Sequence, residues 1–247
     1  MLAPIPARIG LITDLHFDGG APASNRLYEK VAVLNAGGVE TLVVMGDLVN
    51  GTCAEHAQQM LREVSALCET FKGTIYFMPG NHDLDHLSKA EFYTALGHVG
   101  HPSRFDFEVG GYRFIGMDCN FSPDGTEYER GNFHWKESAV PEEQLDWLSE
   151  RLAASVLPVI VISHQRIDKK TKFAVCNHVD VQHVIALSGK VTAVFQGHLH
   201  EDDWVQMNGT SYYSLSAHVD NAGPAVLELT PGGVRLIRAF QALEGDE

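Results

Sequence analysis

Several features that mark particular protein classes are scarce or missing here. The 247 residues include only four cysteines, Cys53, Cys68, Cys119 and Cys176, and no two stand in a Cys-x-x-Cys pair. A thiolate zinc site and a disulfide framework are therefore not indicated. No apolar run reaches the roughly 18 residues of a membrane span, and Met1 to Ala7 lack the basic start and apolar stretch of a signal peptide. A cytoplasmic protein without a membrane partner is expected. Positive charge is also scarce: 18 Lys and Arg stand against 32 Asp and Glu, for a formal net charge of -14. Such a surface repels a polymeric nucleic acid unless basic residues gather on one face. They are scattered instead, apart from Arg166, Lys169, Lys170 and Lys172, a group that suits either a small anion or a solvated loop. Internal repeats and breaks in composition are absent as well, so one domain over 1–247 is expected. Hydrophobic residues at 45% and charged residues at 20% are enough for a packed core. Glu244 to Glu247 reads as a frayed tail.

What is present is an alternation of short β-rich runs and helical spacings. Ile9 to Thr13 reads as a buried strand that ends in Asp14-Leu15-His16-Phe17-Asp18. Ser24 to Ala36 carries helical spacing through Leu27, Val31 and Leu34 and is stopped by Gly37-Gly38. Thr41 to Met45 is the next strand, followed by Gly46-Asp47. Thr52-Cys53-Ala54-Glu55 fits a capping box that opens a helix through Leu67, and Ser88-Lys89-Ala90-Glu91 fits another. Thr74 to Met78 is a strand closed by Pro79-Gly80-Asn81-His82-Asp83. Phe105 to Val109 and Tyr112 to Met117 flank Gly110-Gly111 as a hairpin, which makes the sheet system mixed. Residues 119–140 form a long polar loop, read as facing substrate. Pro141 suits the first turn of a helix running to Ala154. Val159 to Ser163 then delivers His164, Val179 to Leu187 reads as helix, and Val191 to Phe195 delivers Gly197-His198-Leu199-His200. The rest, Trp204 to Met207, Tyr212 to Leu215, Ala225 to Leu229 and Val234 to Phe240, reads as a meander of strands. The residues alone thus support an α/β fold with a β-rich C-terminal third.

Five polar clusters, Asp14/His16, Asp47, Asn81/His82, His164 and His198/His200, each follow a predicted strand. In open α/β sheets the carboxyl ends of the strands surround one crevice, so distant loops can converge there. Carboxylate, amide and imidazole donors without thiolates suit manganese, iron, zinc, cobalt or nickel. His198 and His200, two apart in an extended segment, are expected to face opposite sides and to serve one metal each.

The series Asp14-x-His16, Gly46-Asp47, Gly80-Asn81-His82-Asp83, His164 and Gly197-His198-x-His200 resembles the signature of the calcineurin-like metallophosphoesterases, with all its parts in order. The resemblance implies an α/β fold, a four-layer αββα sandwich of two mixed β-sheets flanked by helices. It implies two metal ions, manganese or iron first, with zinc, cobalt or nickel as alternatives. Asp14, His16 and His200 would bind one, Asn81, His164 and His198 the other, and Asp47 would bridge them. His82 is similar to the family histidine that contacts the phosphoryl group and protonates the leaving oxygen; Asp83 would orient it, and a hydroxide between the metals would attack. Two divalent ions against Asp14 and Asp47 leave a local surplus of about +2, enough to draw phosphate to an acidic protein.

The function this implies is hydrolysis of small phosphodiesters of the cyclic-nucleotide or glycerophosphodiester type. The alternative is a phosphomonoesterase or a nucleoside-diphosphate-type pyrophosphohydrolase. A metal-free interaction scaffold is the remote third reading, opposed by a full set of ligands. The partner expected is a small phosphate ester, not a nucleic acid polymer, and an exposed edge in the final meander suits a homo-oligomer. Asn177 is similar to an asparagine of the class III cyclic-nucleotide phosphodiesterase branch, although His164-Gln165 stands where that branch has His-His or His-Pro. His134 and His218 lie in segments that could reach the crevice. The other six histidines, His56, His86, His98, His101, His178 and His183, are expected at the surface or in structural hydrogen bonds. Asp18 reads as a loop-capping carboxylate. Tyr128, Phe133 and Trp135 fit either a base-stacking surface or anchors for their loop.

Overall fold

A computed structural model describes residues 6–169, 171–230 and 232–238. Its strands form two sheets. The first has the order β11-β10-β1-β2-β3, from β1 (Ala7–Ile12), β2 (Thr41–Met45), β3 (Thr74–Met78), β10 (Ala225–Thr230) and β11 (Gly233–Arg238). β1, β2 and β3 run parallel, and β10 and β11 are added antiparallel. The second has the order β4-β5-β6-β7-β9-β8, from β4 (Phe105–Val109), β5 (Tyr112–Met117), β6 (Val159–Ser163), β7 (Val191–His200), β8 (Asp203–Met207) and β9 (Thr210–Ser216). β5, β6, β7 and β9 are parallel, with antiparallel hairpins at both edges.

The helices are α1 (Ala21–Ala36), α2 (Ala54–Cys68), α3 (Lys89–Ala95), α4 (Glu142–Ala154) and α5 (His178–Ser188). Side-chain alternation explains the layering. All five residues of β2 are buried, because a central strand needs apolar groups on both faces. Leu42 and Val44 pack outward with Leu27, Val31, Met60, Leu61 and Phe92 of α1, α2 and α3. Val43 and Met45 face inward against Phe114, Ile160, Ile162 and Phe195 of the second sheet. The outer face of that sheet, through Ile115, Val161 and Val194, meets Leu148 and Leu152 of α4 and Val181 and Ile185 of α5. The result is helices, sheet, sheet, helices, the four-layer α/β arrangement expected above. Among the described residues no helix is long and apolar enough to cross a membrane.

Local expectations fared unevenly. Ser88 accepts from the Glu91 amide while the Glu91 carboxylate accepts from the Ser88 amide, a complete capping box on α3. The box expected at Thr52 does not form: α2 starts at Ala54 after Cys53, without a side-chain cap, and the Thr52 hydroxyl pairs with His56 Nδ1 at 3.1 Å. α1 begins three residues before Ser24, at Ala21, because Pro22 supplies a helical φ in the first turn. Pro141 is the residue just before α4, not its first. The predicted tail Glu244 to Glu247, Lys170 and the last two residues of the expected strand Val234 to Phe240 lie outside the described residues.

Candidate metal centre

The five clusters meet at the carboxyl ends of β1, β2, β3, β6 and β7. Their loops are tied together by backbone bonds: Asp14 N donates to Gly46 O at 3.0 Å, His16 N to Asp47 O at 2.9 Å, and Gly197 N to His164 O at 2.9 Å. Of the eight non-glycine residues with positive φ among those described, five belong to this group: Asp14 (55°), His16 (42°), Asp47 (52°), His198 (67°) and His200 (62°). Such backbone is uncommon for these residue types, and its clustering here is what a functional site shows. It also supplies the reason why His198 and His200 go to different donor groups, which an extended segment alone does not give. Residues two apart in a regular strand share a face; here the register between β7 and β9 breaks between Gln196 and His200, and the two left-handed residues send their rings to different groups.

Two motif glycines exist because nothing larger fits. A Cβ on Gly80 would lie 2.2 Å from Asp47 Oδ1 and 2.3 Å from its amide nitrogen, and one on Gly197 would lie 2.1 Å from Thr13 Oγ1. Gly80→Ala is therefore expected to cost about 1–3 kcal/mol through overpacking and to displace Asp47, read as a lower melting temperature together with lost metal binding.

Three sets of donor atoms converge closely enough to hold a metal ion: Asp14, His16 and His200; His16, Asp47 and His82; and Asp47, His164 and His198. His16 Nε2 lies 3.0 Å from His200 Nε2, His200 Nε2 lies 3.4 Å from Asp14 Oδ1, and His164 Nε2 lies 3.2 Å from Asp47 Oδ2. The outer nitrogens are already engaged: His16 Nδ1 with Asn50 Oδ1 at 2.9 Å, His164 Nδ1 with Met45 O at 2.9 Å, His200 Nδ1 with Asp220 Oδ2 at 3.1 Å. That fixes each ring so that Nε2 points inward, as metal-ligating histidines require. Four buried atoms, Asp14 Oδ1, Asn81 Oδ1, His164 Nε2 and His198 Nε2, make no hydrogen bond of good geometry, the first and third having only the charged neighbours just given. Buried polar atoms are nearly always bonded. Orphans gathered at these strand ends, three of them within the convergent donor sets, fit a pair of divalent ions in an all-oxygen-and-imidazole donor set.

The charges agree with that fit. Burial favours a neutral Asp47 carboxyl, but the imidazolium of His164 beside it overrides burial and holds it well below the usual range. Asp14 is likewise held down against burial, by His200 and His164. Burial alone would depress His164, yet Asp47 lifts it to about 9; burial and then the His164 charge press His198 down to about 4. A metal must displace the proton of His164, whereas His198 is ready as a neutral ligand. Below about pH 9 protons therefore compete, and apparent affinity of chelator-treated protein for Mn²⁺ is expected to rise with pH, by up to about tenfold per unit between pH 6.5 and 8 in calorimetric titrations.

His82 and Asp83 lie together in sequence but not in role. His82 closes one side of the centre, its ring 5.2 Å from that of His16, with its amide donating to Asp47 Oδ1 at 2.8 Å. Asp83 does not orient it. The Asp83 carboxylate is fully buried and accepts from the amides of Leu48, Val49 and Gly80 at 2.8, 3.0 and 2.8 Å, so it ties the β2 loop to the β3 loop. The partner of His82 Nδ1 is Asp85, at 3.0 Å. That bond is the main reason the imidazole is raised to about 9; burial opposes it and Asp47 adds to it.

A family model described as calcineurin-like phosphoesterase matches residues 7–202. The chain belongs to the calcineurin-like phosphoesterase family. Its members are dinuclear metal-dependent phosphoric ester hydrolases, and this chain carries candidate ligand groups for both ions. Among solved structures, a dimetal phosphatase from Danio rerio superposes with a TM-score of 0.82 at 17% identity, over 94% of this chain and 96% of its own. A purple acid phosphatase from yellow lupin seeds gives 0.61 at 14%, over 95% of this chain and 48% of its own. An archaeal phosphodiesterase gives 0.51 at 14%, over 94% and 99%. At these identities the likeness is one of fold. No curated protein sequence matches significantly.

Around this calcineurin-like centre the remaining expected residues divide. Asn177 is not in it: its side-chain amide accepts from Val140 N at 3.0 Å and donates to Val140 O at 2.8 Å, pinning the end of the long loop to α5. His134 is exposed, with Glu137 as its charged neighbour at 4.0 Å. His218 is buried with both ring nitrogens unpartnered; burial, then Arg26 and Lys30, push it down to about 3. It borders a cavity beside Thr13, Leu215 and Ala225. Asp18 does cap its loop, accepting from Gly20 N at 3.0 Å. Arg166 is no free anion contact but is buried in ion pairs with Asp168 and Asp203, and Lys169 joins Asp203. Tyr128 and Phe133 stack on one another at 3.9 Å as loop anchors. Trp135 instead reaches His198. Asn50 and Asp220 escaped sequence reasoning because each bonds a ring that only folding brings near, Asp85 because the adjacent Asp83 stood as the partner of His82, and Phe173 because it comes from another loop.

Proposed function

We propose that this chain is a single catalytic domain that hydrolyses small phosphodiesters with two bound divalent ions. Asp14, His16 and His200 would hold one ion, Asn81, His164 and His198 the other, with Asp47 shared. The convergence of three donor sets on the strand ends, with buried ligand atoms there left without a hydrogen bond, carries the reading. When bound, such ions supply Lewis acidity and lower the pKa of water; the donor set suits manganese, iron, zinc, cobalt or nickel, and the family resemblance puts manganese or iron first. The chain's own groups do the rest. Asp47 and Asp14 stay charged, Asn81 adds an oxygen donor without cancelling positive charge, and His82, cationic at neutral pH through Asp85, can donate a proton to the leaving oxygen.

The net charge of -14 supports diesters over monoesters, since a monoanion is repelled less than a dianion on approach. The similarity to a dimetal phosphatase supports the second reading, a phosphomonoesterase or a pyrophosphohydrolase. All four cysteines are free thiols, two of them exposed, which suits the reducing cytoplasm. Protein loaded in turn with Mn²⁺, Fe²⁺, Zn²⁺, Co²⁺ or Ni²⁺ is expected to cleave bis-p-nitrophenyl phosphate or a cyclic nucleotide at least tenfold faster than p-nitrophenyl phosphate. The reverse order selects the second reading, and inertness toward every ester with two metals bound rejects both.

A further inference from the structure

Two aromatic rings from separate loops meet beside the candidate ligand His198. Trp135, from the 119–140 loop, and Phe173, from the segment after β6, stack with centroids 5.7 Å apart. Each stands edge-on to the His198 ring, at 5.7 and 5.6 Å. Both are only half-buried, although a ring needed solely for packing would gain by full burial. Neither loop hangs free. Tyr128, itself buried, donates to the carbonyl of His134 at 3.3 Å, next to Trp135, and Phe173 O accepts from the amide of buried Arg166 at 3.2 Å. The platform is therefore held in place before any ligand arrives.

Each ring carries a cation over its face: Lys136 Nζ lies 4.8 Å from the centroid of Trp135 and Lys172 Nζ 4.7 Å from that of Phe173. Neither has a carboxylate partner among the described residues, in a chain where acids outnumber bases 32 to 18. Rings covered only by flexible lysines of this kind are chemically matched to a planar base, which can take the place over the ring, and to its phosphate, which the displaced ammonium groups can meet.

We propose that Trp135 and Phe173 stack the base of a nucleotide-type ester whose phosphoryl group lies at the metal centre, with Lys136 and Lys172 drawing in its negative charge. The inference rests on the phosphodiesterase reading above and narrows it from glycerol-type esters to nucleotides. A purely structural pair, serving to cover His198, would affect metal and phosphate binding and not the choice of substituent.

The test uses full-length, Mn²⁺-loaded protein and compares binding of AMP, glycerol 3-phosphate and inorganic phosphate by calorimetry. Wild type is expected to prefer AMP over glycerol 3-phosphate on the order of tenfold or more, the scale of one stacked base. In Trp135→Ala/Phe173→Ala the preference falls to within about twofold, with inorganic phosphate binding unchanged, while Trp135→Phe keeps most of it. Lys136→Glu/Lys172→Glu, surface changes that leave the rings in place, weaken AMP about fivefold or more. An AMP preference absent from wild type, one that survives in the double alanine variant, or an AMP affinity unchanged in the double glutamate variant, overturns the proposal. Failure of wild type to bind inorganic phosphate at all would instead remove the phosphoesterase reading beneath it.

Discussion

Asp47→Asn is expected to lower turnover of any phosphate ester by about 10³-fold or more and to leave fewer than two metal ions per chain after dialysis, with the far-UV circular dichroism unchanged. The size follows from charge. Asp47 belongs to two of the three donor sets, its Oδ2 is 3.2 Å from His164 Nε2 and 3.8 Å from His16 Nε2, and its Oδ1 receives the His82 amide at 2.8 Å. Two unit charges about 4 Å apart at an effective dielectric of about 20 interact by about 4 kcal/mol, or roughly 10³-fold in an equilibrium. An amide keeps the shape and the acceptor but withdraws that charge. Since oxyanion-type electrostatic contributions are themselves worth roughly 10²–10³ in rate, lost occupancy and lost stabilisation compound. Elemental analysis showing two ions retained, together with less than tenfold loss of activity, would contradict a shared role for Asp47.

The features legible in the sequence were those that depend on short-range rules. The continuous apolar run in Thr41–Met45 and the β-rich runs around it mark strands wherever they end up, and the polar residues that close them mark a crevice. The Ser88 box was legible because both of its bonds lie within four residues. The same four-residue pattern failed at Thr52, where the nearby His56 competes for the hydroxyl; a capping motif states an opportunity, and a local rival can take it. The site divides the same way. Its seven candidate ligands follow from motif and resemblance, and the left-handed backbone at Asp14, His16, Asp47, His198 and His200 is not forecast by residue type, because packing against neighbouring loops imposes it. Long-range partners are the least legible: Asp220 meets His200 from beyond the β8–β9 hairpin, and Phe173 meets Trp135 across 38 residues of chain. Adjacency even misled, since Asp83 is next to His82 in sequence while Asp85, one 3₁₀ turn on, is next to it in space.

That last distinction leads to a separation of effects. His82→Ala is expected to slow hydrolysis of alkyl esters by about 10²–10⁴-fold, the usual worth of a positioned general acid. It should spare p-nitrophenyl esters, whose leaving group departs without a proton, and leave both metals bound, because the chain keeps every other donor. Asp85→Asn should reproduce the selective loss more weakly, by about 10–100-fold as for other orienting partners. It should also lower the His82 imidazole from about 9 in chelator-treated protein, followed by NMR, since the Asp85 bond is the largest cause of the rise. Asp83→Ala should do something different. It strips acceptors from the buried amides of Leu48, Val49 and Gly80, each worth about 1–3 kcal/mol when left unsatisfied, and so lowers the melting temperature and loosens Asp47 for all substrates alike. If Asp83→Ala instead slowed only alkyl esters at unchanged stability, and Asp85→Asn did nothing, the adjacent acid would be the orienting one and the 3.0 Å contact to Asp85 incidental.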